Sequence, residues 1–183
     1  MAGGAAARRI EARVAGGSME RFVKIVDGLD VAPVMAELAQ APEYWLRLTA
    51  DESEYIPLLG AGNSRLLEAE LPEVWRLIDR VRDIAAMERG DNGALVHCRV
   101  GRIPHGGGLP PHFDGIDGVT QRRYQLALQS EAGAEITVGG ESKCWQPGEA
   151  WQIDVSQVHS VHNASGADRI VILFDSKAQA AEK

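Results

Sequence analysis

The chain is poor in the features that mark several protein classes. Only two of its 183 residues are cysteine, Cys98 and Cys144, and they fit neither a CxxC nor a zinc-ligand spacing. A disulfide scaffold is thereby excluded, and both read as free thiols. No apolar run approaches the roughly 20 residues that a membrane-spanning helix needs. Basic charge is also short: 19 Lys and Arg against 26 Asp and Glu leave a net charge of −7. Without a basic face, a nucleic-acid partner is not expected. What is present, 45% hydrophobic and 25% charged residues, suits a soluble globular protein. The length suits one domain with a real core.

Residues 1–18 are rich in Ala and Gly, carry Arg8, Arg9 and Arg13, and lack the apolar stretch of a secretory signal. They read as a disordered tail. Residues 19–183 read as a single domain, and the missing signal and sparse cysteines place it in the cytoplasm.

Within that domain two halves differ in character. Residues 19–93 form a helical part. A short strand is expected over 21–26, a helix over 31–40 capped by Asp30, and loop with short regular pieces over 41–63. The best helix spans 71–89, where Leu71, Val74, Trp75, Ile78, Val81, Ile84 and Ala85 recur at helical spacing before Gly90. From residue 94 to 175, short alternating runs are separated by Gly, Pro and Asp every eight to twelve residues. Eight strands are expected, at 94–102, 109–114, 121–129, 135–138, 142–145, 149–154, 159–163 and 169–175. That is the count of a double-stranded β-helix, the cupin-like jelly roll, with the N-terminal helices packed on one sheet. Parity in the strand at 121–129 puts Leu126 and Leu128 on one face, toward the helices. Arg123, Gln125 and Ala127 fall on the other, toward a cavity.

The chemistry concentrates in His112-Phe113-Asp114, followed by His159 and then Arg169. His112 and Asp114, two apart, share a side of a regular strand. Two imidazoles and one carboxylate on one face of a metal leave the opposite positions open, as non-heme Fe(II) oxygenases require. An arginine ten residues past the second histidine suits a dicarboxylate cosubstrate, which a guanidinium fork grips bidentately. In this order the residues point to a 2-oxoglutarate-dependent oxygenase. The plainer alternatives are a turn histidine after Pro110-Pro111, an Asp114-Gly115 turn and a strand-opening His159.

The stretch Trp145-Gln-Pro-Gly148-Glu-Ala-Trp-Gln-Ile-Asp154-Val-Ser-Gln-Val-His159-Ser-Val-His-Asn163, continuing to Arg169 and Asp175, resembles the aspartyl/asparaginyl β-hydroxylase family of Fe(II)/2-oxoglutarate oxygenases. The approach Ile103-Pro104 to Leu109-Pro-Pro-His112 is similar to that family's too. The resemblance implies a hydroxylase with His112 and His159 as iron histidines and Arg169 on the distal carboxylate of 2-oxoglutarate. It implies Arg123, with Arg122 as a rival, near the 1-carboxylate, and strand parity places Gln125 beside Arg123. Vertebrate-type relatives have glycine where this chain has Asp114. The complete triad resembles the bacterial branch that hydroxylates free proline, so the expected substrate is an amino acid or a residue in a peptide, with dioxygen as co-reactant.

A rival reading from another class is a non-catalytic cupin-like binding or sensing module. Four chemistry-bearing residues kept together argue against it. Among the other histidines, His105 reads as a loop residue at the cavity mouth, His162 as facing away from His159, and His97 as a strand residue without a task. Trp145 and Trp151 read as core, while Tyr44 and Trp45 are candidates to roof the substrate site.

Overall fold

The computed structural model describes residues 20–47, 53–114 and 121–177. The tail expected over 1–18 lies outside them. Among the described residues, eleven strands and two α-helices run in the order β1 (Phe22–Val26), α1 (Ala32–Ala39), β2 (Leu46–Arg47), β3 (Glu54–Pro57), α2 (Pro72–Arg89), β4 (Leu95–Ile103), β5 (Gly108–His112), β6 (Gln121–Gln129), β7 (Ala134–Val138), β8 (Glu141–Lys143), β9 (Ala150–Ile153), β10 (His159–Asn163) and β11 (Arg169–Lys177). They form a seven-stranded sheet, β1-β9-β6-β11-β4-β3-β2, and a four-stranded sheet, β5-β10-β7-β8. All pairings are antiparallel. The eight strands from β4 onward are the expected jelly roll. The segment 41–63 adds β2 and β3, which extend the larger sheet beyond β4.

The helices form where expected, with one unforeseen cap. Asp30 Oδ1 accepts the Ala32 amide at 3.1 Å at the start of α1. Pro72 opens α2 and left-handed Gly90 (φ 65°) closes it. Leu71 offers no side-chain cap; instead the Glu37 carboxylate of α1 accepts the Glu73 and Val74 amides, each at 2.9 Å. One carboxylate thus satisfies two orphan donors and locks the helices together.

Two apolar layers follow from strand parity. Trp75, Ile78 and Val81 of α2 pack with Tyr124, Leu126, Leu128, Ile172 and Phe174 on the outer face of the large sheet. Between the sheets lies a smaller cluster that includes Phe22, Ala127, Ile136, Trp145, Ile153 and Val161. The remaining inner face is polar, with Arg123, Gln125 and Arg169 all buried. An interior that is only partly apolar is the condition for a site rather than a closed core. None of the described helices is long and apolar enough to cross a membrane.

Candidate metal centre

Antiparallel pairing of β5 with β10 sets His112 and His159 directly opposite each other. Their rings lie 4.3 Å apart, centre to centre. Strand β5 stops at His112, two residues short of the expected end, and Asp114 follows just beyond it with its side chain turned back to both histidines. Asp114 Oδ1 is 3.5 Å from His112 Nε2, and Oδ2 is 3.8 Å from His159 Nε2. One ligand atom from each of the three residues lies within 4.8 Å of the others.

The hydrogen bonds select the right nitrogens. His112 Nδ1 donates to the Pro110 carbonyl at 2.7 Å, and His159 Nδ1 donates to the Gln157 carbonyl at 3.0 Å. Each imidazole is fixed in the tautomer that leaves Nε2 free for a cation. Burial lowers the His159 pKa below 6.5 despite the Gln157 carbonyl, keeping a neutral ligand at pH 7. Burial alone would raise the Asp114 carboxyl, but the charge and hydrogen bond of Arg123 outweigh it and hold the group below its ordinary value. Two neutral imidazoles and one carboxylate suit a divalent first-row metal with open positions.

Local structure delivers His159 to this point. Asp154 accepts from the Ser156 amide at 3.2 Å, its hydroxyl at 2.6 Å and Gln157 Nε2 at 3.2 Å. This turn aims β10. At the other end, Asn163 Nδ2 donates to the Ile103 and Ala167 carbonyls, both at 2.9 Å, and its Oδ1 accepts the Ser165 hydroxyl at 2.6 Å. That knot ties β10 to β4 and to the turn that opens β11 at Arg169.

Arg169 is 3% exposed, and no acid pairs with it among the described residues. It donates to Gln125 Oε1 at 3.1 Å, and its guanidinium lies 5.5 Å over the Trp145 ring. Burial pushes its pKa down to about 10. A buried cation without a counter-charge is costly, and it lines an inter-sheet cavity with Gln125, Arg99, Tyr55 and Leu109. An anionic ligand would supply the missing charge.

Arg123 shares the inner face with Gln125, as parity required, but both ends of its guanidinium are engaged. Nε and Nη2 donate to the two Asp175 oxygens at 2.7 and 2.8 Å, and Nη1 donates to Asp114. These charges raise the Arg123 pKa even though burial opposes them. Arg122 points to the outer side, 3.8 Å from Asp91.

Sequence reasoning missed two residues of this cavity. His97 stands beside Asp175 in register and lines a hollow with Asp114, Gln121 and Arg123. Arg99, opposite Leu173, lines both that hollow and the Arg169 cavity. Their period-two spacing on β4 was the available signal. The other aromatic and histidine candidates divide between the cavity edge and the surface. His105 bonds the Ser165 carbonyl and His162 is exposed. Trp45 stacks on Arg102 at the cavity edge, whereas Tyr44 lines a separate surface hollow with Leu46 and Leu66.

A two-sheet barrel with a two-histidine, one-carboxylate centre at its mouth is the arrangement of the 2-oxoglutarate/Fe(II) oxygenase class. Comparison with solved structures gives the same fold. An oxidoreductase of the 2OG-Fe(II) oxygenase family from Burkholderia pseudomallei has a TM-score of 0.66 at 13% identity, covering 88% of this chain and 89% of that one. A Pseudomonas putida prolyl-4-hydroxylase has a TM-score of 0.61 at 14% identity, covering 87% and 94%. The viral collagen prolyl hydroxylase of Paramecium Bursaria Chlorella virus-1, solved as a 2OG complex, reaches 0.64 at 13% identity, covering 88% and 97%. At such identities the likeness is one of fold.

The family follows from sequence. The profile named Aspartyl/Asparaginyl beta-hydroxylase matches residues 51–179, and the chain belongs to that family. Aspartate beta-hydroxylase domain-containing protein 1 is 41% identical over 56 residues in both Mus musculus and Homo sapiens. That stretch is 29% of this chain but only 16% and 14% of those proteins.

Proposed function

We propose that this protein is an Fe(II)/2-oxoglutarate-dependent dioxygenase that hydroxylates an aliphatic C–H bond of an amino acid, free or within a peptide, with succinate and CO2 as coproducts. The observation that carries the reading is the convergence of His112, Asp114 and His159, together with a buried Arg169 that has no acidic partner among the described residues. His112, Asp114 and His159 would hold the metal, with both histidine Nε2 atoms and the Asp114 carboxylate available to it. Fe(II) in that position supplies the redox chemistry that couples decarboxylation of a 2-oxo acid to hydroxylation by dioxygen.

The remaining residues bind and orient. Arg169, with Gln125 fixing one of its donors, takes the distal carboxylate of 2-oxoglutarate. Filling this position neutralises the buried cation, so cosubstrate binding also stabilises the fold. Arg99 has no hydrogen-bonded or ion-paired acid among the described residues and sits between the metal centre and the Arg169 cavity. It is placed to receive a second carboxylate, from cosubstrate or substrate. Leu109, Val161, Val171 and Leu173 give the cavity apolar walls that exclude water from the reacting carbon. The same reading places the protein in the cytoplasm, where Fe(II) and 2-oxoglutarate are available.

The test is succinate release during a screen of free amino acids and Asp- or Asn-containing peptides with Fe(II), 2-oxoglutarate and air. At least one class should raise succinate and gain one oxygen atom. If 2-oxoglutarate is not consumed under any of these conditions, with or without substrate, the reading fails.

A further inference from the structure

Arg123 was expected to meet the cosubstrate, yet its surroundings describe a different task. Three of its five N–H groups are already used on protein carboxylates. The side chain of Asp175 is 1% exposed, and Asp175 also accepts from Gln121 Nε2 at 3.1 Å. The pair is therefore a fork-to-fork contact anchored in the middle of a sheet, since Arg123 and Asp175 are register partners on β6 and β11. Only the Nη1 end reaches forward, to Asp114.

We propose that Arg123 and Asp175 form a charge-compensated clamp that positions Asp114, so that this carboxylate donates to the metal through one oxygen only. The proposal rests on the metal site proposed above. Nη1 holds Oδ2, which leaves Oδ1, on the His112 side, as the free donor. A carboxylate with both oxygens free could chelate and fill a position that cosubstrate or dioxygen needs. A lone arginine could restrain Asp114 equally well, but its charge would oppose a divalent cation a few ångströms away. Asp175 cancels that charge. The clamp thus orients the ligand without repelling the metal, which gives Asp175, buried on β11 against Arg123, a task at the site.

The deciding variant is Asp175→Asn, which keeps the shape but leaves Arg123 uncompensated. Co(II), a visible probe for such sites, is titrated anaerobically into the wild type and the variants, following its d–d absorption. Asp175→Asn is expected to weaken Co(II) binding about tenfold or more, the usual effect of removing an outer partner of a ligand. Combining it with Arg123→Gln should restore part of the affinity, because the opposing cation is gone. The double variant should still show an altered d–d spectrum, because Asp114 is no longer held. Arg123→Lys, which cannot serve both carboxylates with one fork, should show weakened binding and an altered spectrum as well, and it carries the test if Asp175→Asn does not fold.

Wild-type protein that takes up no Co(II) overturns the metal site and the clamp together. Wild-type protein that binds Co(II), beside folded variants with unchanged affinity and spectrum, overturns the clamp alone. So does a lowered 2-oxoglutarate affinity in Arg123→Lys with an unaltered Co(II) spectrum, because Arg123 would then act on the cosubstrate directly.

Discussion

His112 and His159 stand opposite each other as register partners on β5 and β10, and each uses Nδ1 to hold the carbonyl two residues before it. The two imidazoles are therefore aimed by backbone, before any metal arrives. Replacing either by alanine should weaken Co(II) or Fe(II) binding by more than the roughly 10–100-fold that outer partners produce. The half-exposed His112 should leave the melting temperature almost unchanged, because it contributes little to the core. Isothermal titration of the metal with parallel thermal melts checks both; metal affinity within threefold of wild type in either variant would contradict the assignment.

Asp114 is the one carboxylate of the candidate triad. Asp114→Gly recreates a two-histidine arrangement directly. We expect hydroxylation to be lost and metal affinity to fall, because the rest of the site is organised around a carboxylate held by Arg123. Iron affinity and product formation close to wild type would show that two histidines suffice here.

On the proposed function, Arg169 is a buried cation that serves a ligand rather than the fold. Arg169→Ala should raise the 2-oxoglutarate KM strongly while metal affinity changes little, and Arg169→Lys should recover only part of the loss. Arg169→Leu should melt no lower than the wild type when cosubstrate is absent, since an unpaired buried charge has been removed. It should also lose the thermal shift that 2-oxoglutarate gives the wild type. A large drop in melting temperature for Arg169→Leu would mean that the arginine serves the fold.

Asn163 is fully buried and satisfies the Ile103 and Ala167 carbonyls. Asn163→Ala removes the side-chain donor from the Ile103 carbonyl and leaves the Ala167 carbonyl only the Ser165 hydroxyl, and should destabilise the protein by about 1–3 kcal/mol. It should also loosen the turn that presents Arg169, raising the 2-oxoglutarate KM. Urea unfolding measures the first effect and steady-state kinetics the second.

Acid should weaken the metal-free protein in two stages. Burial holds His97 below 6.5 against the opposing charge of Asp175, and it holds His159 below 6.5 as well. The unfolded chain binds these protons more readily, so the stability is complete above 6.5. It is lost as the pH falls through the lowered folded values. Asp114, held below 3.8, adds a second loss of the same sign at lower pH. His97→Gln and His159→Gln should each flatten the decline between about pH 7 and pH 5 in urea unfolding. An unchanged slope in both would show that neither imidazole is held neutral by the fold.

Local pattern revealed the strands from β4 onward, the two helices and the inward face of β6, because period-two and period-3.6 signals need no tertiary information. The partner of Arg123 was hidden, since Asp175 meets it only through the pairing of β6 with β11. His97 and Arg99 alternate visibly along β4, but that they meet the cavity beside Asp175 and Leu173 follows only from the pairing of β4 with β11. Strands β2 and β3, two and four residues long, are too short to alternate visibly. The Glu37 cap on α2 joins elements far apart in the chain and has no local signature.

The most direct test of the account is the visible spectrum of the protein mixed anaerobically with Fe(II) and 2-oxoglutarate. The wild type should show a weak metal-to-ligand charge-transfer band that requires both additions, disappears in His159→Ala, and needs far more 2-oxoglutarate in Arg169→Ala. Folded wild-type protein with no such band, or a band that persists without His159, would contradict it.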